Sequence, residues 1–388
     1  MVHAWRRAIV LACVWIGGLT IGAGLAAGGL TAWIARRAVM PSRTFQYDVR
    51  VRSVAADLTT ITLEATLESV VPGHYGFWLA GQAGHIRVGR ILETTPASVT
   101  RQIEKVTFGD IHSGQRGRIS GWYFVRPELL GLPVSSVAIS TDGGSAPAWL
   151  FPANETSPRW AIHVHGRGIG RQSGLRAVPV FRDNGFTNLI VSYRNDGDAP
   201  NSTDARSGLG STEWRDVDAA IEFGIAHGAQ QIVLTGWSMG GSIVLQTLTG
   251  SAHSSYIRGI VLDSPVIDWV NTMNYHAEIR HLPTVITRAA LGTMGAPWGT
   301  RVTGLAAPID LRAMDFVARA DELTVPVLLM HSDDDRYVPP YASRALAAAR
   351  PDIVTYVAFP LARHTKLWNY DTNRWNQTVA DWLRTLKT

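Results

Sequence analysis

The stretch Ile232-Val233-Leu234-Thr235-Gly236-Trp237-Ser238-Met239-Gly240-Gly241 passes from an apolar run into a G-x-S-x-G turn, and Ser242-Ile243-Val244-Leu245 continues beyond it. A strand that turns abruptly into a helix, with glycines on both sides of one serine, holds that serine in a strained conformation and exposes its hydroxyl. Ser238 is therefore the candidate nucleophile, and the fold is read outward from it.

Strands alternate with helices on both sides of this turn. Val134 to Thr141 and Ala146 to Pro152 flank Asp142-Gly143-Gly144 as an opening hairpin. Trp160-Ala161-Ile162-His163-Val164-His165-Gly166 is a nearly continuous apolar run, the pattern of a strand buried on both faces. Helices are expected over 171–184, over 213–227, where Val217, Ala220, Ile221 and Ile225 recur at helical spacing, and over 242–249. Further strands are expected over 187–193, 258–263, 325–331 and 353–358, with a closing helix over 375–386. This rhythm predicts a largely parallel sheet covered on both faces. Residues 264–324 interrupt it with Trp269, Trp298, several Pro and Gly, and helical turns expected around 286–291 and 311–319. Inserted after the strand ending at Asp263, they would lie over the carboxyl edge of the sheet, either as a lid lining an acyl pocket or as ordinary connecting helices.

A serine hydroxyl is a poor nucleophile without a base, and the base needs a carboxylate to orient it. The loop after the strand at 325–331 reads His331-Ser332-Asp333-Asp334-Asp335-Arg336-Tyr337-Val338-Pro339, and the loop after 353–358 contains His364. The chain order is thus serine, acid, histidine. Asp263, at the end of the strand after the turn, competes with the later carboxylates for the acid's place. His163, His165 and His331 lie on strands or at their ends and read as structural.

Over 134–388 the chain resembles α/β-hydrolase fold enzymes of the serine esterase and prolyl-oligopeptidase-like kind. The resemblance rests on His165-Gly166, on Gly236-Trp237-Ser238-Met239-Gly240, on the H-x-x-x-D-x-x-V-P loop with Asp335, Val338 and Pro339, and on the late His364. It implies Ser238, Asp335 and His364 as catalytic residues, with the spacing to Val-Pro selecting Asp335 and leaving Asp333 and Asp334 to cap or solvate the loop. It also implies an oxyanion hole from the backbone N–H groups of Met239 and Arg167, with Gly168 as the alternative to Arg167. The family often has a small or amide residue where Arg167 stands, a departure that a backbone donor tolerates. No metal or organic cofactor is implied. The resemblance leads to the expectation of a serine hydrolase that cleaves a carboxylic ester or thioester, and the amino-terminal apolar run adds the expectation that it is membrane-anchored. A peptidase of the oligopeptidase-like branch and an acyltransferase share the machinery, and a non-catalytic binding protein shares the fold. The oligopeptidase branch often carries a large propeller, for which the preceding β-rich stretch is too short.

Two regions precede this domain. Ala8 to Ala35 form a run of 28 residues without Asp, Glu, Lys or Arg, between Arg6-Arg7 and Arg36-Arg37, with Trp5, Trp15 and Trp33 along it. The run reads as a single membrane anchor within 1–40, since a cleaved signal peptide would have a shorter apolar region and an A-x-A-like site. Gly18-x-x-x-Gly22 and Gly24-x-x-x-Gly28 would permit close helix approach, or reflect composition alone. Arg36, Arg37, Arg43, Arg50 and Arg52 follow the run, so the positive count leans towards a cytoplasmic domain without deciding the side. Residues 41–133 are expected to be a small β-rich region or strands extending the main sheet, with strands at 60–67, 75–79, 85–92 and 119–125. Its His74, His85 and His112 lack metal-ligand spacing.

Composition excludes several classes. The net charge of +5 comes from scattered arginines, with lysine only at 105, 366 and 387, which argues against nucleic acid as a partner. One cysteine, Cys13, permits neither a disulfide framework nor a thiolate zinc site. The expected partners are a small or lipid acyl substrate and the membrane, and the oligomeric state is open.

Overall fold

The computed structural model describes residues 24–41 and 45–386. Among the described residues, fourteen strands divide between two sheets. β1 (Val49–Val54), β2 (Thr60–Glu64), β3 (Tyr75–Leu79), β4 (His85–Thr94), β5 (Ser98–Phe108) and β6 (Arg116–Ser120) form a closed antiparallel barrel in the order β1-β2-β5-β4-β3-β6, with β6 pairing back onto β1. Its interior is filled by alternate residues such as Val49, Val51, Ile61, Leu63, Phe77 and Val88, all fully buried. The β-rich region is thus a separate barrel, not an extension of the main sheet. β1 and β5 are absent from the expected strands, and 121–125 lies outside β6.

The second sheet holds β7 (Ser135–Thr141), β8 (Gly144–Phe151), β9 (Arg159–Val164), β10 (Thr187–Val191), β11 (Gln231–Trp237), β12 (Ile257–Asp263), β13 (Val327–Ser332) and β14 (Val354–Phe359), in the order β14-β13-β12-β11-β9-β10-β8-β7. The hairpin β7–β8 joins antiparallel at one edge, and the other six strands are parallel. Their side chains alternate between two cores. Ile232 and Leu234 face one core, with helices α3 (Trp214–Ala226), α4 (Met239–Gly250) and α8 (Tyr341–Ala349); Val233 and Trp237 face the other, with α2 (Val178–Asp183), α9 (Leu367–Tyr370) and α10 (Thr372–Thr385). In α10, Trp375, Val379, Trp382 and Leu383 recur at helical spacing to make the buried stripe, and the Asp371 side chain caps the first turn by accepting from Arg374 N–H at 2.9 Å.

Between β12 and β13 lie α5 (Trp269–Glu278), α6 (Thr284–Gly295) and the short α7 (Thr300–Thr303). The turns expected as helical around 311–319 contain no helix. There Asp310 accepts from Arg312 and Ala313 N–H and Asp315 from Val317 and Ala318 N–H, so side chains satisfy the backbone in place of a helical ladder.

A helix over 24–39, α1, precedes the barrel. Its last turn is docked: Ala35 and Val39 are fully buried in the core beside the second sheet, Val39 C=O accepts from Ser207 N–H at 2.8 Å, and Met40 C=O accepts from the Arg167 guanidinium. No helix of the described residues is long and apolar enough to cross a membrane. The expected span therefore does not reach Ala35, because its carboxyl end is packed on protein. Residues 8–23 of that run lie outside the described residues. Among the described residues no cluster of His, Cys, Asp and Glu could hold a metal ion.

The barrel sits on the segment between β14 and α10. His74 N–H donates to Asn369 C=O at 2.8 Å, the Asn369 side-chain amide returns a bond to His74 C=O at 2.8 Å, and Lys366 pairs with Glu68. Tyr123 and Phe124 pack their rings on Trp368.

Candidate active site

β11 ends at Trp237 and α4 starts at Met239, so Ser238 alone turns the chain. Its φ of 53° and ψ of −119° are strained for a residue with a side chain. The turn is possible because its neighbours lack side chains: a Cβ on Gly240 would lie 2.2 Å from Val164 O, and one on Gly166 would lie 3.1 Å from Ser238 Cβ. Ser238 C=O accepts from Val266 and Gly241 N–H, and Ser238 N–H donates to Asp263 C=O, which fixes the serine at the carboxyl edge of the sheet.

The loops after β13 and β14 emerge at the same edge because those strands run parallel to β11. His364 Nε2 lies 2.9 Å from Ser238 Oγ, and His364 Nδ1 lies 2.7 Å from Asp335 Oδ2. The other carboxylate oxygen, Asp335 Oδ1, accepts from Tyr337 N–H at 2.8 Å and Val338 N–H at 2.9 Å. His331, which sequence reasoning placed as structural, is buried beneath the acid with Nε2 3.3 Å from Asp335 Oδ2 and Nδ1 2.8 Å from Ser343 Oγ. Burial alone would raise the Asp335 carboxyl, but His364 and His331 outweigh it through charge and hydrogen bonding and hold it well below the usual carboxylate range.

The histidine loop is itself strained. Arg363 and Thr365, on either side of His364, have φ of 62° and 53°. Asp334 Oδ1 accepts from Ala362 and Arg363 N–H, and Ser264 Oγ accepts from Thr365 N–H at 3.0 Å. Fully buried Arg176 donates to Thr365 C=O and Asn369 Oδ1, both at 2.8 Å. Asp334 thus joins the acid loop to the histidine loop, while Asp333 pairs at the surface with Arg344. Asp263 is completely buried, bound to Ser264 Oγ at 3.0 Å and to Trp375 Nε1 at 3.1 Å, and makes no hydrogen bond with His364 among the described residues. Burial raises its carboxyl, with Arg176 opposing.

Met239 N–H opens α4 and has no acceptor within the helix. Arg167 and Gly168 N–H donate to no acceptor among the described residues. The Arg167 side chain points away to Met40 C=O at the end of α1. His163 is a core residue between Phe181 and Trp237, bound to Asn188 Oδ1 at 2.9 Å, and burial lowers its imidazole to about 4. His165 stacks on Tyr193 at 4.4 Å with Nδ1 2.9 Å from Asp196 Oδ2. In the barrel, His85 bonds to Thr107 Oγ1 and Trp122 C=O, and His74 to Glu104.

A cavity of about 800 Å³ opens in front of Ser238 and His364. Residues 264–324 supply much of its wall through Val266, Trp269, Met273 and Leu291. Three contributors escaped the sequence reading: Trp33 and Ile34 of α1, Ser120 to Trp122 of the barrel, and Tyr337, whose ring lies 5.0 Å from that of His364. The alternation around β6 signals a strand but carries no sign of what its end touches. A Cβ on Gly121 would lie 3.2 Å from Thr365 O, which shows how closely the barrel approaches the histidine loop.

Comparison with known proteins agrees with this architecture. A family model described as an alpha/beta hydrolase family matches residues 161–382, more than half of the chain. A second, described as a domain of unknown function (DUF8805), matches residues 50–120, which are the barrel. Comparison with curated proteins gives no match. Among solved structures, the Pyrococcus furiosus esterase Pf2001 is similar in more than one crystal form. One has 16% identity and a TM-score of 0.53 over 68% of this chain and 95% of that one. Another has 17% identity and a TM-score of 0.51 over 67% and 93%. By the family model over residues 161–382, which takes in the serine turn and most of the sheet, the chain belongs to the alpha/beta hydrolase family.

Proposed function

We propose that this protein is a serine esterase, cleaving a carboxylic ester or thioester through an acyl-enzyme. The observation that carries the reading is the unbroken line from Ser238 Oγ through His364 to Asp335, at 2.9 and 2.7 Å. In this mechanism Ser238 Oγ attacks the acyl carbon as His364 Nε2 takes its proton, and Asp335 stabilises the resulting imidazolium. The carbonyl oxygen gains negative charge and is met by Met239 N–H and Arg167 or Gly168 N–H. His364 returns the proton to the leaving alcohol or thiol as the tetrahedral intermediate collapses. Water, deprotonated by the same histidine, then releases the acid and restores Ser238. The low position of the Asp335 carboxyl supports this assignment, since the acid must stay ionised while the imidazole gains a proton.

The membrane anchor belongs to the same reading, with its limit moved. The apolar run ahead of Trp33 is the candidate anchor, and the docked turn at Ala35 and Val39 ties it to the catalytic domain. A fluorophosphonate probe tests the nucleophile: wild type should be labelled and Ser238→Ala should not. Equal labelling would remove Ser238 from the mechanism. Hydrolysis of p-nitrophenyl esters alongside aminoacyl amides separates esterase from peptidase, and cleavage of amides alone would overturn the esterase reading. Recovery of the full chain in the soluble fraction without detergent would overturn the anchor.

A further inference from the structure

The wall of the cavity in front of Ser238 combines apolar and cationic residues. Its apolar part is formed by Ile34 of α1, Trp269 and Met273 of α5, Leu282, and Leu291 and Met294 of α6. Arg37, Arg118, Arg167, Arg280 and Arg336 also line it, with no Asp or Glu within ion-pair distance among the described residues; Arg37, Arg280 and Arg336 are exposed, and the Arg167 guanidinium turns to Met40 C=O. The residues outside the described ones have no carboxylate side chain to offer. Glu68, the acidic residue of the cavity wall, is already paired with Lys366, and Arg363 with Asp334. The half-buried guanidinium groups of Arg118 and Arg167 are therefore paired with no carboxylate of the protein.

Arg118 is the most telling of the five. Its guanidinium lies 3.9 Å from the Phe45 ring centroid and 5.5 Å from that of Trp122, with the Tyr47 hydroxyl nearby. Its Nε and Nη2 are buried without a hydrogen-bond partner, as is Nε of Arg167. Burial lowers the Arg118 guanidinium to about 10, which leaves it charged at neutral pH. Buried polar groups are nearly always satisfied, and a desolvated cation with open donors at the wall of a substrate cavity calls for an anion. Guanidinium donors suit the oxygens of a phosphate or carboxylate. A volume of about 800 Å³ is ample for a long chain as well as a head group.

Resting on the esterase reading, we propose that the substrate is a long-chain ester bearing an anionic phosphate or carboxylate, its chain lying between α1 and the α5–α6 hairpin and its anion meeting Arg118 and the neighbouring arginines. The test uses the full chain in neutral detergent micelles and two matched pairs of esters. Lauroyl glycerol phosphate against monolauroyl glycerol places the anion on the alcohol side; the p-nitrophenyl half-ester of dodecanedioic acid against p-nitrophenyl laurate places it on the acyl side. In at least one pair the anionic member should have the higher kcat/KM, by roughly tenfold to a hundredfold. Arg118→Gln and Arg280→Gln should each lower that ratio. The pair that shows the preference identifies the side that carries the anion. No anionic preference in either pair, or no cleavage of any of the four, with Ser238 still labelled by a fluorophosphonate, overturns the substrate assignment and leaves the nucleophile intact. A preference that neither arginine change reduces overturns the anion site. Absence of labelling sinks the esterase reading itself.

Discussion

Exchanging Asp335 for Asn removes one charge while keeping the shape of the acid, so it tests what the carboxylate does. The new side chain would keep its carbonyl oxygen toward Tyr337 and Val338 N–H, the two bonds that hold Oδ1 at 2.8 and 2.9 Å. Its amide nitrogen would then replace Oδ2 opposite His364 Nδ1, at the position now 2.7 Å away. An amide N–H donates, so Nδ1 becomes the acceptor and the imidazole proton moves to Nε2, facing Ser238 Oγ. His364 then has no lone pair to take the serine proton. The wrong tautomer in a serine protease triad costs about 10⁴ in kcat, equal to about 5.5 kcal/mol of transition-state stabilisation. Asp263→Asn is the control, since the carboxylate it replaces is bonded to Ser264 Oγ and Trp375 Nε1. It should cost about tenfold or less in kcat/KM and act mainly on stability, through the lost charge near Arg176. Both variants are compared with wild type on p-nitrophenyl butyrate between pH 6 and 9. Because the Asp335 carboxyl lies below the usual range, its protonation does not limit the wild-type rate in this window. A greater loss from Asp263→Asn than from Asp335→Asn would refute the assignment of the acid.

Three further perturbations follow from the packing. His163 is fully buried and lowered to about 4 from an ordinary 6.5, so the folded state resists a proton that the unfolded state accepts. Its stabilising contribution is complete above about pH 6.5 and declines as pH falls towards 4, by about 2 kcal/mol between pH 7 and 5. His163→Gln should reduce the loss of denaturation midpoint over that range, and an unchanged pH dependence would show that this imidazole is not the group responsible. Val39→Asp places an unpaired carboxylate in the hydrolase core at a cost of about 3 kcal/mol or more. Helix α1 should detach, with new proteolytic cleavage around residues 40–45 and a fall in long-chain relative to short-chain ester hydrolysis; an unaltered cleavage pattern would contradict the docking. Arg101→Met deprives the carbonyls of Ser69, Val71, Gly73 and Gly89 of their donor. It should destabilise the barrel by about 3 kcal/mol or more and speed hydrogen exchange over residues 67–74, and unchanged exchange there would refute the role given to Arg101.

Much of the catalytic half was legible because its local and long-range demands agree. A nearly continuous apolar strand such as Trp160 to Val164 has to be covered on both faces, and the glycines around Ser238 are needed where Val164 and Ser238 crowd them. The spacing of Asp335 to Val338 was informative because both N–H groups of that turn bind the same carboxylate oxygen. What escaped was decided by contacts distant in sequence. β5 alternates Val99, Arg101 and Ile103 towards the barrel interior, and the charge at Arg101 conceals a period that its carbonyl partners make tolerable. Ala35 ends an apolar run that reads as lipid-facing and Val39 follows just beyond it, and only the hydrolase surface opposite them shows that they face protein. The turns at 311–319 have helical composition, but Asp310 and Asp315 bind the backbone locally first.

The barrel acquires a part in the chemistry through the strain around His364. Positive φ at Arg363 and at β-branched Thr365 costs of order 1–3 kcal/mol each and persists only if surrounding bonds hold it. Asp334, Ser264 and Arg176 supply such bonds from within the catalytic domain. The barrel supplies more: Leu67 C=O accepts from Arg363 at 3.0 Å, Glu68 pairs with Lys366, and His74 exchanges two bonds with Asn369. At about 1 kcal/mol net for each hydrogen bond, the two sets together are of the same order as a strain of roughly 2–6 kcal/mol, and the barrel adds to what the catalytic domain supplies. Residues 67–74 of the barrel are in turn fixed by the Arg101 guanidinium, through the carbonyls of Ser69, Val71 and Gly73. A continuous set of bonds therefore runs from a buried arginine in the barrel to the loop that holds His364 beside Ser238, so loosening the barrel should lower kcat on every ester, whatever its chain length.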